Sequence, residues 1–228
     1  MPPKPVPAFQ IALVPVTVFQ QNCALLWETE SKRAIVVDPG GEAGRILATI
    51  DRLGLKPELI LLTHGHLDHA GGAKPLKGVL DQKAADAGLP PVPLLGPDER
   101  DRFLLDSIED VSAAYGLTGM VNVLPDRFLT EGETIEFASM RFDVLHCPGH
   151  TPGHLVFVEK QQRFAIVGDV LFAGSVGRTD FEYGDGPALI EHIHNKLLPL
   201  GDDISFICGH GPGSSFGEER RSNPFLHR

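Results

Sequence analysis

Cysteines are few, basic residues are outnumbered and no long apolar run occurs; each shortage removes a class of protein. Cys23, Cys147 and Cys208 lie far apart with no CxxC spacing, which is not the pattern of a disulfide framework. Twenty Lys and Arg stand against thirty Asp and Glu, a formal net charge of −10. Such a chain has no electrostatic footprint for nucleic acid or an anionic membrane, so an anionic substrate must meet a few local cations. No stretch approaches the roughly 18–20 apolar residues that span a bilayer. The apolar run Ile11–Phe19 is short and broken by Pro15, and the segment from Met1 to Pro7 lacks the layout of a signal peptide. The expectation is a soluble, cytoplasmic protein with a small-molecule substrate and no nucleic-acid, membrane or protein partner. Repeats, low-complexity blocks and linkers are also missing, so residues 1–228 are expected to form one domain.

What is present is ordinary globular material: 228 residues, 42% hydrophobic and 22% charged, with 25 Gly and 19 Pro that imply many turns. Ile11–Phe19, Asn22–Glu28, Ala34–Asp38 and Leu59–Thr63 have strand-like composition, and Glu42–Leu53 places apolar residues at helical spacing. Helices are expected over Leu76–Gly88, Asp98–Tyr115 and Ala188–Leu198. Short strands are expected at Thr134–Phe137, Arg141–Leu145, Leu155–Glu159, Phe164–Val167 and Ile204–Ile207. The alternation of strand, helix and strand argues for an α/β protein.

Polar chemistry collects where those strands end. Thr63-His64-Gly65-His66-Leu67-Asp68-His69 puts three histidines and an aspartate within six residues on a loop leaving an apolar strand. Packed together, such groups repel or stay unsatisfied unless a cation joins them, and imidazole with carboxylate suits zinc, iron or manganese. His146-Cys147-Pro148-Gly149-His150-Thr151-Pro152-Gly153-His154, Val167-Gly168-Asp169 and Cys208-Gly209-His210 repeat the theme. Cys147 and Cys208 are expected to pack as small hydrophobes. His192, His194 and His227 belong to no motif and are assigned to solvent.

The HxHxDH segment, followed by a His, an Asp and a last His at strand ends, resembles the metallo-β-lactamase superfamily. THGHLDHAGG, CPGHTPGH, GDVLF, GRTDF and GHGPGSSFGEERRSNPF make the chain similar to the glyoxalase II (hydroxyacylglutathione hydrolase) type, in its compact bacterial form. The resemblance runs from Val37 to Phe225. It implies a four-layer αββα sandwich with two divalent metals, zinc by preference and iron or manganese as alternatives, at one edge of its sheets. It implies that His64, His66 and His150 hold one metal, Asp68, His69 and His210 the other, and that Asp169 bridges them. His154 matches a family histidine that is not a direct ligand and orients its neighbours. Asp38, in Val-Asp-Pro-Gly-Gly, has two open readings: it fixes a histidine tautomer, or it caps its own turn.

The implied reaction is hydrolysis of S-2-hydroxyacylglutathione, typically S-D-lactoylglutathione, to glutathione and a 2-hydroxy acid. A water shared by two metals has its pKa lowered from 15.7 toward about 7 and serves as the nucleophile, with Asp68 and Asp169 as the catalytic carboxylates. Arg178 matches a basic residue of the family and either meets substrate or pairs with Asp180 or Asp185. Arg220 and Arg221 read as solvated charges. Longer relatives carry further basic helices beyond the NPF segment, so strict glutathione preference is not implied. A single-iron persulfide dioxygenase shares GRTDF, and a lactonase or β-lactamase shares the fold. Lactonases commonly carry a Tyr in the neighbourhood that Phe172 occupies here.

Overall fold

The computed structural model describes residues 9–227; the N-terminal segment read above for a signal peptide lies outside them. Strands β1 (Phe9–Val16), β2 (Gln21–Glu28) and β3 (Arg33–Val37) form an antiparallel meander. Helix α1 (Ala43–Leu53) then carries the chain to β4 (Lys56–Leu61), parallel to β3. Helices α2 (Leu67–Ala70) and α3 (Ala73–Asp86) lead to β5 (Leu94–Leu95), which completes a five-stranded sheet. After α4 (Arg102–Asp106) and α5 (Ile108–Ala114), a second sheet begins with β6 (Thr134–Phe137), β7 (Met140–His146), β8 (Leu155–Glu159) and β9 (Phe164–Ile166). The small hairpin β10 (Leu171–Phe172) and β11 (Ser175–Val176) and helix α6 (Gly186–His192) follow. Strand β12 (Ser205–Ile207) pairs parallel to β9 and antiparallel to β13 (Ser214–Ser215), and α7 (Phe216–Ser222) comes last.

Alternation along the central strands creates the layers. On β2, Cys23, Leu25 and Trp27 face the helices of the first half, whereas Ala24 and Leu26 face the second sheet. Strand β3 does the same with Ala34 and Val36 against Ile35 and Val37. On β8, Leu155 and Phe157 meet the first sheet while Val156 and Val158 meet α6 and its continuation. These strands are apolar on both faces because both are covered, which is why they read as continuous apolar runs. Three buried clusters therefore separate four layers: helices, sheet, sheet, helices. No helix among the described residues is long and apolar enough to cross a membrane.

Two expected helices are interrupted. The stretch 98–115 forms a tight turn at Glu99–Asp101, then α4, then α5 after Ser107. Its start is bent by the Asp101 carboxylate, which accepts from Gly65 N, Gly153 N and Thr151 Oγ1 and so faces the loops rather than solvent. The stretch 188–198 starts earlier, with Asp185 capping Ala188 N at 3.0 Å, and widens after His192 before ending in a tight turn at Leu200. His194 and His227 are exposed, but His192 is half-buried and its Nδ1 is shut off from water without a partner, which corrects its assignment to solvent.

Candidate metal centre

The loops leaving β4, β7, β9 and β12 converge, and their polar residues meet at one place. His64, His66 and His150 bring their ring nitrogens within 4.8 Å of one another, and Asp68, His69 and His210 form a second such group. Asp169 stands between them. Its Oδ2 lies 3.6 Å from His150 Nε2 and 3.5 Å from His210 Nε2, and its Oδ1 lies 3.4 Å from His69 Nε2.

Each histidine has one ring nitrogen committed outward. His64 Nδ1 donates to Thr63 Oγ1 at 3.0 Å, and that hydroxyl donates to Asp38 Oδ2 at 2.6 Å. His66 Nε2 donates to Tyr183 Oη at 2.9 Å, and His69 Nδ1 to Asp38 Oδ2 at 2.9 Å. His150 Nδ1 donates to the Arg178 carbonyl at 2.8 Å, and His210 Nδ1 to the Phe19 carbonyl at 3.1 Å. For His64, His66 and His150, which burial keeps neutral, the single proton points outward and the inward nitrogen is left as a lone pair. Two of these inward contacts, His64 Nε2 to His66 Nδ1 and His150 Nε2 to His66 Nδ1, are only 3.0 Å long. Lone pairs at that distance repel unless a cation lies among them.

Electrostatics sort the site into two halves. Burial holds His64, His150 and His154 below the usual imidazole range and takes His66 down to about 3, so this half is neutral and ready to ligate. Burial opposes a charge on His69 as well, but the facing Asp169 carboxylate and the hydrogen bond to Asp38 outweigh it and hold His69 high. Burial likewise works against ionisation of Asp169, yet the facing histidines keep it well below the carboxylate range. His69 Nε2 and Asp169 Oδ1 are buried and make no hydrogen bond. Positive charge is thus drawn toward these carboxylates, and the donor set fits divalent metal binding.

Other residues hold this arrangement without joining it. His154 Nε2 accepts from Asp169 N at 3.0 Å, and its ring stacks on His64 with centroids 4.6 Å apart. Gly209 lies so close that a Cβ there would fall 2.0 Å from Asp169 Oδ1 and 2.5 Å from His69 Cε1. Asn22 ties the site to β2: its N donates to Gly209 O at 2.7 Å and its Nδ2 to Cys208 O at 3.1 Å. Asp38 sits in the left-handed region at φ 49° and accepts Thr63 N at 2.7 Å, so its carboxylate binds the metal-loop strand rather than capping its own turn.

Sequence reading missed three of these partners. Tyr183 is 117 residues from His66, and only its place in a Gly-rich loop after Gly177-Arg178-Thr179-Asp180-Phe181 hinted at it. Asp101 is buried, which pushes its carboxyl up to about 6, and it holds the backbone of the His64–His66 and His150–His154 loops. Gln21, buried beside His69, carried no signal at all. Arg178 lies at the rim of the cleft, but its guanidinium is paired with Asp180 at 2.7 and 2.8 Å and lies over Phe181. Arg220 is anchored too, to Asp202 and the Leu198 carbonyl, and Arg221 pairs with Glu218.

The centre floors a cleft of about 550 Å³ lined by apolar and aromatic side chains. Cys23, Cys147 and Cys208 are free but buried; burial raises Cys23 and takes the Cys147 and Cys208 thiols up to about 12. Ser107 and Ser175 line the cleft and turn their hydroxyls to the backbone carbonyls of Leu104 and Val176.

Residues 16–210 match the family model of the metallo-beta-lactamase superfamily. Over 95% of its length the chain is 47% identical to hydroxyacylglutathione hydrolase GloC of Haemophilus influenzae, of which it covers 98%. The crystal structure of TTHA1623 in a di-iron-bound form superposes with a TM-score of 0.80 at 36% identity, over 94% of this chain and all of that one. That of the B3 metallo-beta-lactamase BLEG-1 does so with a TM-score of 0.81 at 32% identity, over 96% of this chain and all of that one. With its strand-end histidines and aspartates held as described, the chain belongs to the metallo-beta-lactamase superfamily.

Proposed function

We propose that the protein is a metal-dependent thioester hydrolase of the hydroxyacylglutathione hydrolase type, acting on S-2-hydroxyacylglutathione to give glutathione and a 2-hydroxy acid. The observation that carries this reading is a cluster of five imidazoles and two carboxylates, of which His66, Asp68, His150, Asp169 and His210 reach the floor of a substrate-sized cleft. The name of the 47% identical relative supports the substrate class.

In this reading two divalent cations are held, zinc by preference, with iron or manganese as alternatives; a di-iron relative of the same fold agrees with the donor set. His64, His66 and His150 would hold one and Asp68, His69 and His210 the other, with the Asp169 carboxylate available to either. The cations supply Lewis acidity, acidifying a water and polarising an acyl carbonyl. The chain's own residues do the rest. Asp38 and Thr63 fix the tautomers of His69 and His64, Tyr183 that of His66, and the Arg178 carbonyl that of His150. Asp68 Oδ2 lies 3.3 Å from His210 Nε2, so these two side chains hold each other toward the second ligand group. Tyr183 accepts from His66, which leaves its own O–H free to donate into the cleft. A leaving thiol has a pKa of about 8.5, so it departs as thiolate without a protein acid. Ser107 and Ser175 in the cleft turn their hydroxyls to backbone carbonyls, and none of the three cysteines is among its described lining residues. Cytoplasmic placement belongs to the same proposal and agrees with three free, buried cysteines.

The test is release of free thiol from S-D-lactoylglutathione by the purified, metal-analysed protein. Persulfide-dependent oxygen uptake, or lactone or β-lactam opening without thioester cleavage, would replace this reading with one of its rivals.

A further inference from the structure

We infer that the cleft selects thioesters by an apolar group of several carbons, rather than by the charges of a glutathione carrier; this rests on the thioester hydrolase reading. Three observations lead there. First, Leu104 of α4, Ile108 and Val111 of α5, and Tyr115 just past the end of α5 all line the cleft, so two successive short helices give it an apolar wall. Val111 is 37% exposed, Tyr115 66%, and Phe19 across the mouth 38%, its ring edge-on to Tyr115 with centroids 6.0 Å apart. These are large apolar surfaces left wet around a concavity, and a ligand that covers them gains the hydrophobic term.

Second, the polar groups of the cleft are concentrated on its floor. Apart from the metal-centre residues, its walls are mainly aliphatic and aromatic, and Phe181 and Tyr183 stack at 5.2 Å beside His66 to continue the apolar surface up to the reacting position. Third, the described lining residues include one permanent cation, Arg178, and its fork is already closed on Asp180. Glutathione brings two carboxylates to a chain of net charge −10, and no other Lys or Arg stands among the described lining residues. A cavity of about 550 Å³ accommodates a thioester with a chain of roughly six carbons or an aryl ring.

The apolar group can sit on the acyl or on the thiol side of the scissile bond, and two substrate series tell these apart. In the first, acetyl, butanoyl and hexanoyl groups are carried by one small thiol; in the second, acetyl is carried by methyl, butyl and hexyl thiols. A kcat/KM that rises about 10- to 100-fold across either series supports the inference and assigns the side. Flat profiles in both, with S-D-lactoylglutathione still cleaved, overturn it. Calorimetric binding of thioethers, which cannot be hydrolysed, gives a readout independent of turnover. S-hexylglutathione should bind at least about 10-fold more tightly than S-methylglutathione, and Val111→Asp should narrow that gap. Equal affinities overturn the inference. If no thioester is cleaved but the binding gap is found, the hydrolase reading fails while the selection by an apolar group stands.

Discussion

The Asp38 Oδ2 atom accepts His69 Nδ1–H at 2.9 Å and, through Thr63 Oγ1, also governs His64, so one buried carboxylate sets histidines in both halves of the centre. Asp38→Asn would put an amide where two donors already point. Metal affinity should fall about 10- to 100-fold, with both ligand groups affected. Competition with a chromogenic chelator measures this; affinities equal to the parent would show that Asp38 matters only to its turn.

Tyr183→Phe keeps the ring that stacks on Phe181 and packs edge-on against Phe103, and removes only the acceptor of His66 Nε2–H. Metal affinity should drop by about 10-fold and kcat should fall more than KM rises, because the lost O–H acts on the reacting group. An unchanged affinity together with an unchanged kcat would remove Tyr183 from the account.

Gly209→Ala tests the close approach of the last loop. Its methyl would collide with Asp169 Oδ1 and His69 Cε1, both of which belong to the centre rather than to the main hydrophobic clusters. Turnover and bound metal should both be largely lost, with a stability cost of about 1–3 kcal/mol. Calorimetry and elemental analysis check this, and an active, fully loaded variant would contradict the described geometry.

Arg178→Ala retains the main-chain carbonyl that holds His150 and deletes an exposed guanidinium already shared with Asp180. KM for S-D-lactoylglutathione should therefore rise by no more than about 5-fold, with kcat nearly constant. A small thioester lacking carboxylates should show no change. A 30-fold or larger rise in KM would mean that Arg178 leaves Asp180 to bind substrate.

The metal loop was legible because His64, His66, Asp68 and His69 are neighbours in sequence and follow a strand whose burial shows as an apolar run. The layers were legible for the same reason, since β2, β3, β4, β8 and β9 are covered on both faces. What escaped depends on distant contacts. The tight turn that opens the 98–115 stretch goes with Asp101 turning to the loops of Gly65 and Gly153, a tertiary preference that local helical spacing does not encode. Tyr183 and Gln21 reach the centre across 117 and 48 residues of chain, and neither has a motif of its own. Short pieces such as β5, β10, β11 and β13 are two residues each and exist only because a longer strand or a loop offers them a partner.

The most direct measurement is thiol release from S-D-lactoylglutathione by protein stripped with a strong chelator and then titrated with zinc, iron or manganese. Activity should vanish on stripping and return in proportion to added metal, levelling off at two equivalents per chain, while Asp169→Asn should bind less metal and recover little activity. Full activity in the stripped protein, or saturation at one equivalent with Asp169→Asn behaving as the parent, would contradict the account.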